Sequence, residues 1–245
     1  MPFKRILILG GTGLARQAAD ALVEQGIDVT SSLAGVTHSP HLPKGKVRRG
    51  GFGGVEGLSA YLTGEKIDLV VDATHAFAAR MSAHAYEACQ ATHVRLLRLE
   101  APAWQCQAGD DWREVGTVDA AVAALPLRAK VVVTVGRKEV GAFFARTDLS
   151  GMARMIEPSD VAAPSQWQVL LERPPFSLEA EIDLLRASEA EFLVSKNAGG
   201  ARPSKLDAAA KLGLPVIMVA RPFKPVVTSV SDIEQLITLL AANVF

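Results

Sequence analysis

Short runs rich in Val, Ile and Leu alternate with longer segments of helical period along almost the whole chain, and few folds accept that alternation. A strand buried on both faces reads as a continuous apolar run, and a helical segment between two such runs returns the chain so that the strands pair in parallel. In the first half, strands are expected at 5–9, 27–33, 67–73 and 93–98, with helices at 13–25 and 77–90. Leu14, Ala18, Ala21 and Leu22 share one face of the first helix, and Gly26 stands where a left-handed residue ends it. After an interruption at 101–111, strands at 130–135, 169–172, 191–195 and 216–219 alternate with helices at 139–145, 177–187, 203–212 and 231–242. Ser231 and Glu234 have the spacing of a capping box at the start of the last helix. At 245 residues the chain exceeds one ordinary domain. The pattern predicts an α/β protein of two doubly wound, Rossmann-like lobes, 1–120 and 121–245, with mainly parallel sheets and a cleft between them.

Composition removes several classes. Lys plus Arg number 26 and Asp plus Glu number 26, so no net charge draws the chain to nucleic acid or to an acidic membrane. No stretch approaches the roughly 20 apolar residues of a membrane span, and Lys4 and Arg5 lead straight into a strand rather than a secretory signal. Cys89 and Cys106 lie outside the spacing of a disulfide framework or zinc knuckle, which predicts a cytoplasmic protein with two inert thiols. His38 and His41 sit in a Pro-flanked loop, while His75, His84 and His93 have no ligand spacing, so no metal site is expected. Tyr61 is followed four residues on by Glu65 and Tyr86 by Gln90, so the Tyr-x-x-x-Lys relay of short-chain dehydrogenases is absent. A Gly-x-Ser-x-Gly elbow is absent too.

The segment Ile6-Leu-Ile-Leu-Gly10-Gly11-Thr12-Gly13-Leu14-Ala15 carries the first chemistry. A strand that turns through glycines into a helix brings backbone close to a pyrophosphate and aims unpaired N–H groups and the positive dipole end at it. Gly11 and Gly13 match the first two glycines of a dinucleotide fingerprint, and Arg16 stands where the third would be. Gly10, Gly11, Thr12, Gly13, Leu14 and Ala15 are therefore candidate cofactor residues. The second strand ends in Ser31-Ser32-Leu33 with no acid to hold the ribose of NAD, so NADPH is the expected cofactor, with Ser31, Ser32 and Leu33 around the ribose and Arg48 or Arg49 as a source of charge. Ser31 and Ser32 equally fit a plain strand end.

Further segments are more specific: Ser32-Leu-Ala-Gly-Val-Thr37, Gly50-Gly-Phe-Gly-Gly54, Val71-Asp-Ala-Thr-His-Ala-Phe-Ala78, Leu97-Arg-Leu-Glu-Ala-Pro-Ala-Trp104, Thr134-Val-Gly-Arg-Lys-Glu139 and Ser195-Lys-Asn-Ala-Gly-Gly200. In this order, across essentially the whole chain, they resemble the precorrin-6A reductase family of vitamin B12 biosynthesis. The resemblance implies NADPH-dependent reduction of one double bond of precorrin-6A, giving precorrin-6B. Two positions depart from the family pattern: Val36 stands where an arginine is common, and Ala76 where proline commonly follows the His. The cobalt-containing branch of the family, with NADH or NADPH, is the alternative enzyme reading, and an NADP-sensing regulator without turnover is the alternative of another class.

A macrocycle edged with carboxylates calls for cations and N–H donors. Arg137, Lys138, Lys196 and Lys205 meet that demand, and Lys196-Asn197-Ala198-Gly199-Gly200, between a strand and a helix, repeats the anion-binding logic of the first glycine turn. Lysines and arginines in loops also simply face water. At the end of the 67–73 strand, Thr74 is a further candidate cofactor contact and His75 the candidate proton donor, against the ordinary role of a histidine bonded to backbone. Phe77 fits the core better than a stacking wall. The glycines of 50–54 fit either the close approach of a planar ligand or a flexible loop.

Overall fold

The computed structural model describes residues 3–33 and 42–242, so Val36, His38, His41 and the 34–37 part of one motif lie outside the described residues. Strand β1 (Arg5–Leu9) is buried from Ile6 to Leu9 because both its faces are covered. Ile6 and Ile8 join a cluster with Ala15, Ala18, Ala19 and Leu22 of helix α1 (Gly13–Glu24), while Leu7 and Leu9 join a second cluster on the opposite face. The chain continues through β2 (Asp28–Leu33), β3 (Lys46–Arg49), α2 (Val55–Gly64), β4 (Leu69–Asp72), α3 (Ala79–Thr92) and β5 (Arg95–Leu99).

A second series follows: β6 (Trp112–Val115), α4 (Val118–Ala124), β7 (Lys130–Thr134), α5 (Gly141–Phe144), β8 (Ser150–Met155), β9 (Trp167–Leu171), α6 (Leu178–Ala187), β10 (Phe192–Lys196), α7 (Ser204–Leu212) and β11 (Val216–Val219). The chain ends with β12 (Ser229–Val230) and α8 (Ile233–Ala242). Two six-stranded sheets result, in the orders β12-β5-β4-β1-β2-β3 and β6-β11-β10-β7-β8-β9. The strand pairs of both are parallel. Each sheet is doubly wound, reversing its direction of growth between two central strands: β1 and β4 in the first, β7 and β10 in the second. Among the described residues no helix is long and apolar enough to cross a membrane.

The division of the chain differs from the expected 1–120 and 121–245. One compact unit runs to Pro102 and resumes at Phe223, and the other is Ala103–Pro222. Strand β6, placed by sequence in the first lobe, pairs with β11 in the second sheet, and β12 returns to β5 in the first. The physical reason is the sixth position of each sheet. A short edge strand has no periodicity that says which sheet it joins, and β12 has two residues. What fixes the return is α8, whose Leu236 and Leu240 are fully buried in the cluster of β1 and α1.

Elements outside the expected set have equally specific causes. The edge strand β3 has one apolar residue among Lys46, Val47, Arg48 and Arg49. Helix α2 carries Gly57, where a Cβ would collide with the Phe52 carbonyl, so a helix former is excluded by packing. Arg154 interrupts the apolar run of β8 and is nevertheless buried, because Glu181 of α6 accepts two hydrogen bonds from its Nη2, at 2.7 and 2.9 Å. The last helix is capped one residue later than the sequence suggests. Asp232 Oδ1 accepts from Gln235 N at 2.8 Å and Gln235 Oε1 from Ser231 N at 3.1 Å, in place of the Ser231 and Glu234 box.

Replacing Leu236 by alanine should cost about 2–5 kcal/mol of stability, the range for a buried leucine. Hydrogen exchange should accelerate in β1 and α1 before β7 and β10, and equal acceleration in both sheets would contradict the assignment of α8 to the first unit.

Candidate functional site

Open parallel sheets bind ligands beyond the carboxyl ends of their strands, at the point where winding reverses. At the first such point the chain leaves β1 through the glycine turn. Gly10 N donates to Ser32 O at 2.9 Å, which ties the turn to the end of β2. Thr12 is the N-cap of α1: its hydroxyl accepts from Ala15 N at 3.0 Å and donates to Ala73 O, also at 3.0 Å, just beyond β4. Arg16 N is taken by Thr12 O. The N–H groups of Gly11, Thr12, Gly13 and Leu14 have no protein partner among the described residues, and Gly11 takes a φ of +110° that favours glycine. Gly13 has no positive φ, and a Cβ built there meets nothing within 4 Å. Neither backbone strain nor internal packing accounts for glycine at 13.

The neighbouring strand ends are occupied as follows. Ser31 is buried and its hydroxyl has no partner among the described residues; Ser32 Oγ accepts from Arg48 Nη1 at 2.9 Å. Arg48 also donates to the carbonyls of Gly50 and Gly51, at 3.0 and 3.1 Å, and its guanidinium lies 3.8 Å from the Phe52 ring centroid, so it shapes the 50–54 loop. Leu33 reaches the glycine turn, with Cδ2 3.4 Å from where a Gly10 Cβ would stand. Asp72 at the end of β4 is buried, accepting from the Thr74 hydroxyl at 2.7 Å and from Arg98 Nε at 3.3 Å. The Thr74 hydroxyl is thus turned inward. His75 is exposed; its Nδ1 accepts from Phe77 N at 3.2 Å, which is the backbone-bonded role, and in the neutral ring it leaves the proton on Nε2.

In the second unit the sequence candidates gather beyond β7 and β10. Lys196 Nζ donates to Glu139 Oε2 at 2.8 Å. Lys205, from the first turn of α7, donates to Thr134 Oγ1 at 2.8 Å, and that hydroxyl donates on to Val194 O at 3.0 Å. Among the described residues no carboxylate pairs with Lys205. Burial, followed by the nearby Arg154 charge, lowers its ammonium pKa to about 8; Glu181 pulls it back up and Lys196 pushes it down further. Arg137 is half-buried, with Asp160 at 3.8 Å and an Nε that has no partner, while Lys138 is exposed with no partner among the described residues.

Asn197 does something else. Its Oδ1 accepts from Trp104 N at 2.8 Å and its Nδ2 donates to Trp104 O at 2.9 Å, so the amide clamps the 101–111 segment as a strand neighbour would. Arg221 donates to the carbonyls of Asn197 and Ala198, at 3.1 and 2.9 Å, and holds the turn in which Gly199 and Gly200 take φ of +80° and +82°. Sequence reasoning did not single out Glu139, Thr134, Trp104 or the Arg154–Glu181 pair. The first three lie inside or beside the quoted motifs, whereas nothing in sequence spacing links Arg154 to Glu181. Cys89, expected to be inert, is buried, and burial pushes its thiol up to about 12.

The chain matches the family described as Precorrin-6x reductase CbiJ/CobK over residues 5–241. It is 42% identical over 231 residues to a precorrin-6A reductase of Rhodococcus erythropolis, with 93% of each chain covered. It is 27% identical over 249 residues to a cobalt-precorrin-6A reductase of Priestia megaterium, covering 96% of this chain and 97% of the other. A solved structure of CobK precorrin-6A reductase is similar with a TM-score of 0.90 at 40% identity, over 98% of this chain and 96% of its own.

Because the Lys205 pKa is held below its ordinary 10.5, this side chain binds more protons in the unfolded chain between pH 8 and 10.5, and its own contribution to stability rises with pH across that window. Lys205→Met, which removes the buried charge, should raise Tm at pH 7 by roughly 2–4 °C, the shift for about 1 kcal/mol in a chain of this size. The gain should shrink as pH rises from 8 towards 10, and a gain independent of pH would show that repacking, not charge, is responsible.

Proposed function

The chain belongs to the precorrin-6x reductase family, and from that premise we propose that it reduces one double bond of precorrin-6A to precorrin-6B, with NADPH as hydride donor, in the cytoplasm. The observation that carries this reading is the contrast between its two switch points. One is a glycine turn with four N–H groups that have no partner among the described residues. The other is lined by lysines and an arginine that carboxylates only partly neutralise.

Each arrangement suits one partner. Residues 11–14 present backbone donors and a helix N-terminus to a pyrophosphate, and the bare Gly13 position allows contact distance. The missing acid beyond β2, together with the positive charge at the end of β3, supports the 2′-phosphorylated cofactor. When bound, NADPH supplies the hydride. In the second unit Lys138, Lys205 and Arg137 offer charge to the peripheral carboxylates of a tetrapyrrole, and Lys196 adds a donor already oriented by Glu139. Asn197, Gly199 and Gly200 shape that wall rather than bind by side chain, since the Asn197 amide is spent on Trp104.

Reduction also needs a proton. His75, exposed, is the side chain proposed to deliver it: solvent first protonates Nδ1, displacing the Phe77 N–H from it, and the imidazolium then gives its Nε2 proton and returns to the neutral ring. Thr74 acts indirectly, holding Asp72 at the end of β4. The metal-free substrate is preferred to the cobalt-containing one because identity is higher to reductases of the former. A cation-lined second switch point argues against a sensor that binds NADP alone.

Incubation of the protein with precorrin-6A and NADPH deuterated at the transferable C4 position should give a product heavier by one deuterium and one hydrogen. Cofactor binding without any mass change would refute the activity and move attention to the cobalt-containing substrate.

A further inference from the structure

We propose that Arg49 is the residue that makes the cofactor site prefer a 2′-phosphate, while the adjacent Arg48 is committed to the fold. The inference rests on the dinucleotide reading of the first glycine turn and names the group that selects between its two forms.

Consecutive strand residues leave a sheet on opposite faces, so Arg48 and Arg49 cannot serve the same space. In the parallel register of β2 and β3, Ser32 lies opposite Arg48 and Leu33 opposite Arg49. Arg48 shares its face with Ser32, to which it is bonded, and with Phe52, on whose ring it lies; its Nη1 and Nη2 are further engaged by the carbonyls of Gly50 and Gly51. Arg49 shares the other face with Leu33, and Leu33 is the side chain that reaches the glycine turn at Gly10. The face of Arg49 is therefore the face on which the turn opens.

No described residue neutralises that position. Arg49 is exposed and has no hydrogen bond, ion pair or ring contact among the described residues. Residues 29–33 and 46–54 contain no carboxylate, and the lysine at the start of β3, Lys46, is paired with Asp28 at 2.8 Å, at the other end of the strands. The carboxyl end of β3 thus carries a net positive charge. Ser31, buried on the same face as Leu33, adds a hydroxyl with no partner. In a doubly wound sheet the ribose adjoining adenine lies beyond the second strand, one strand spacing from β1, and β3 is one spacing further, about 10 Å from β1 in all. A guanidinium at the end of β3 meets the 2′ substituent from its outer side, as a bidentate partner for phosphate.

The test separates this inference from the reading beneath it by using adenosine 2′,5′-bisphosphate and 5′-AMP, which need neither substrate nor turnover. Calorimetric titration of the wild type should show the bisphosphate binding more tightly, and in Arg49→Gln that preference should fall about 10- to 100-fold, the loss of one charge-assisted contact. Affinity for 5′-AMP and Tm should stay as in the wild type, and Arg49→Lys should recover part of the preference. A wild-type preference that survives in Arg49→Gln within twofold overturns the role of Arg49 and leaves NADPH as cofactor. No preference in the wild type overturns the NADPH reading and this inference together.

Discussion

The Thr12 hydroxyl holds the first switch point in shape. By accepting from Ala15 N it starts α1, and by donating to Ala73 O it ties that start to the end of β4, an element distant in sequence. A bond of this kind contributes only about 0.5–1.5 kcal/mol. Its importance lies in what it leaves over. With Ala15 and Arg16 satisfied internally, the four N–H groups before them have no protein acceptor, and an anion is the partner that such a turn is built to take.

The two sheets solve the same topological problem with different chemistry. The first switch point presents backbone N–H groups, which suit an anion regardless of side chains. The second presents side chains held from below: Lys205 rests on Thr134, Lys196 on Glu139, and the Asn197 clamp on Trp104 fixes the turn beside them. Beneath these lies the Arg154–Glu181 pair, with the Arg154 guanidinium 4.0 Å from the Phe176 ring centroid. Removing one partner would leave a buried charge uncompensated, typically a loss of 3–5 kcal/mol, so the pair keeps β8 and α6 in place only as a pair.

Much of this was legible in residue order. The runs 5–9 and 216–219 became β1 and β11 with their ends unchanged, because continuous apolar strands advertise themselves. Gly10, Gly11 and Gly13 were legible as a turn into a helix, and Gly199 and Gly200 as a second one. The boundary of the units was not legible, because the edge strands β6 and β12 are too short to carry a period that says which sheet each joins. Asn197 and Thr74 were read as ligand contacts because a polar residue at a strand end is ambiguous in sequence. Their amide and hydroxyl find protein partners, Trp104 and Asp72, at positions that spacing along the chain does not reveal.

The proposed function requires a dinucleotide to meet the protein at the glycine turn. Gly13→Ala puts one methyl group into space that the protein leaves empty, at a position whose backbone accepts alanine. Tm should therefore stay level or rise slightly, since alanine in a helix is favoured over glycine by about 0.4–1 kcal/mol, while NADPH affinity measured by fluorescence titration should fall at least about tenfold. A folded Gly13→Ala protein that binds NADPH as tightly as the wild type would contradict the account at its centre.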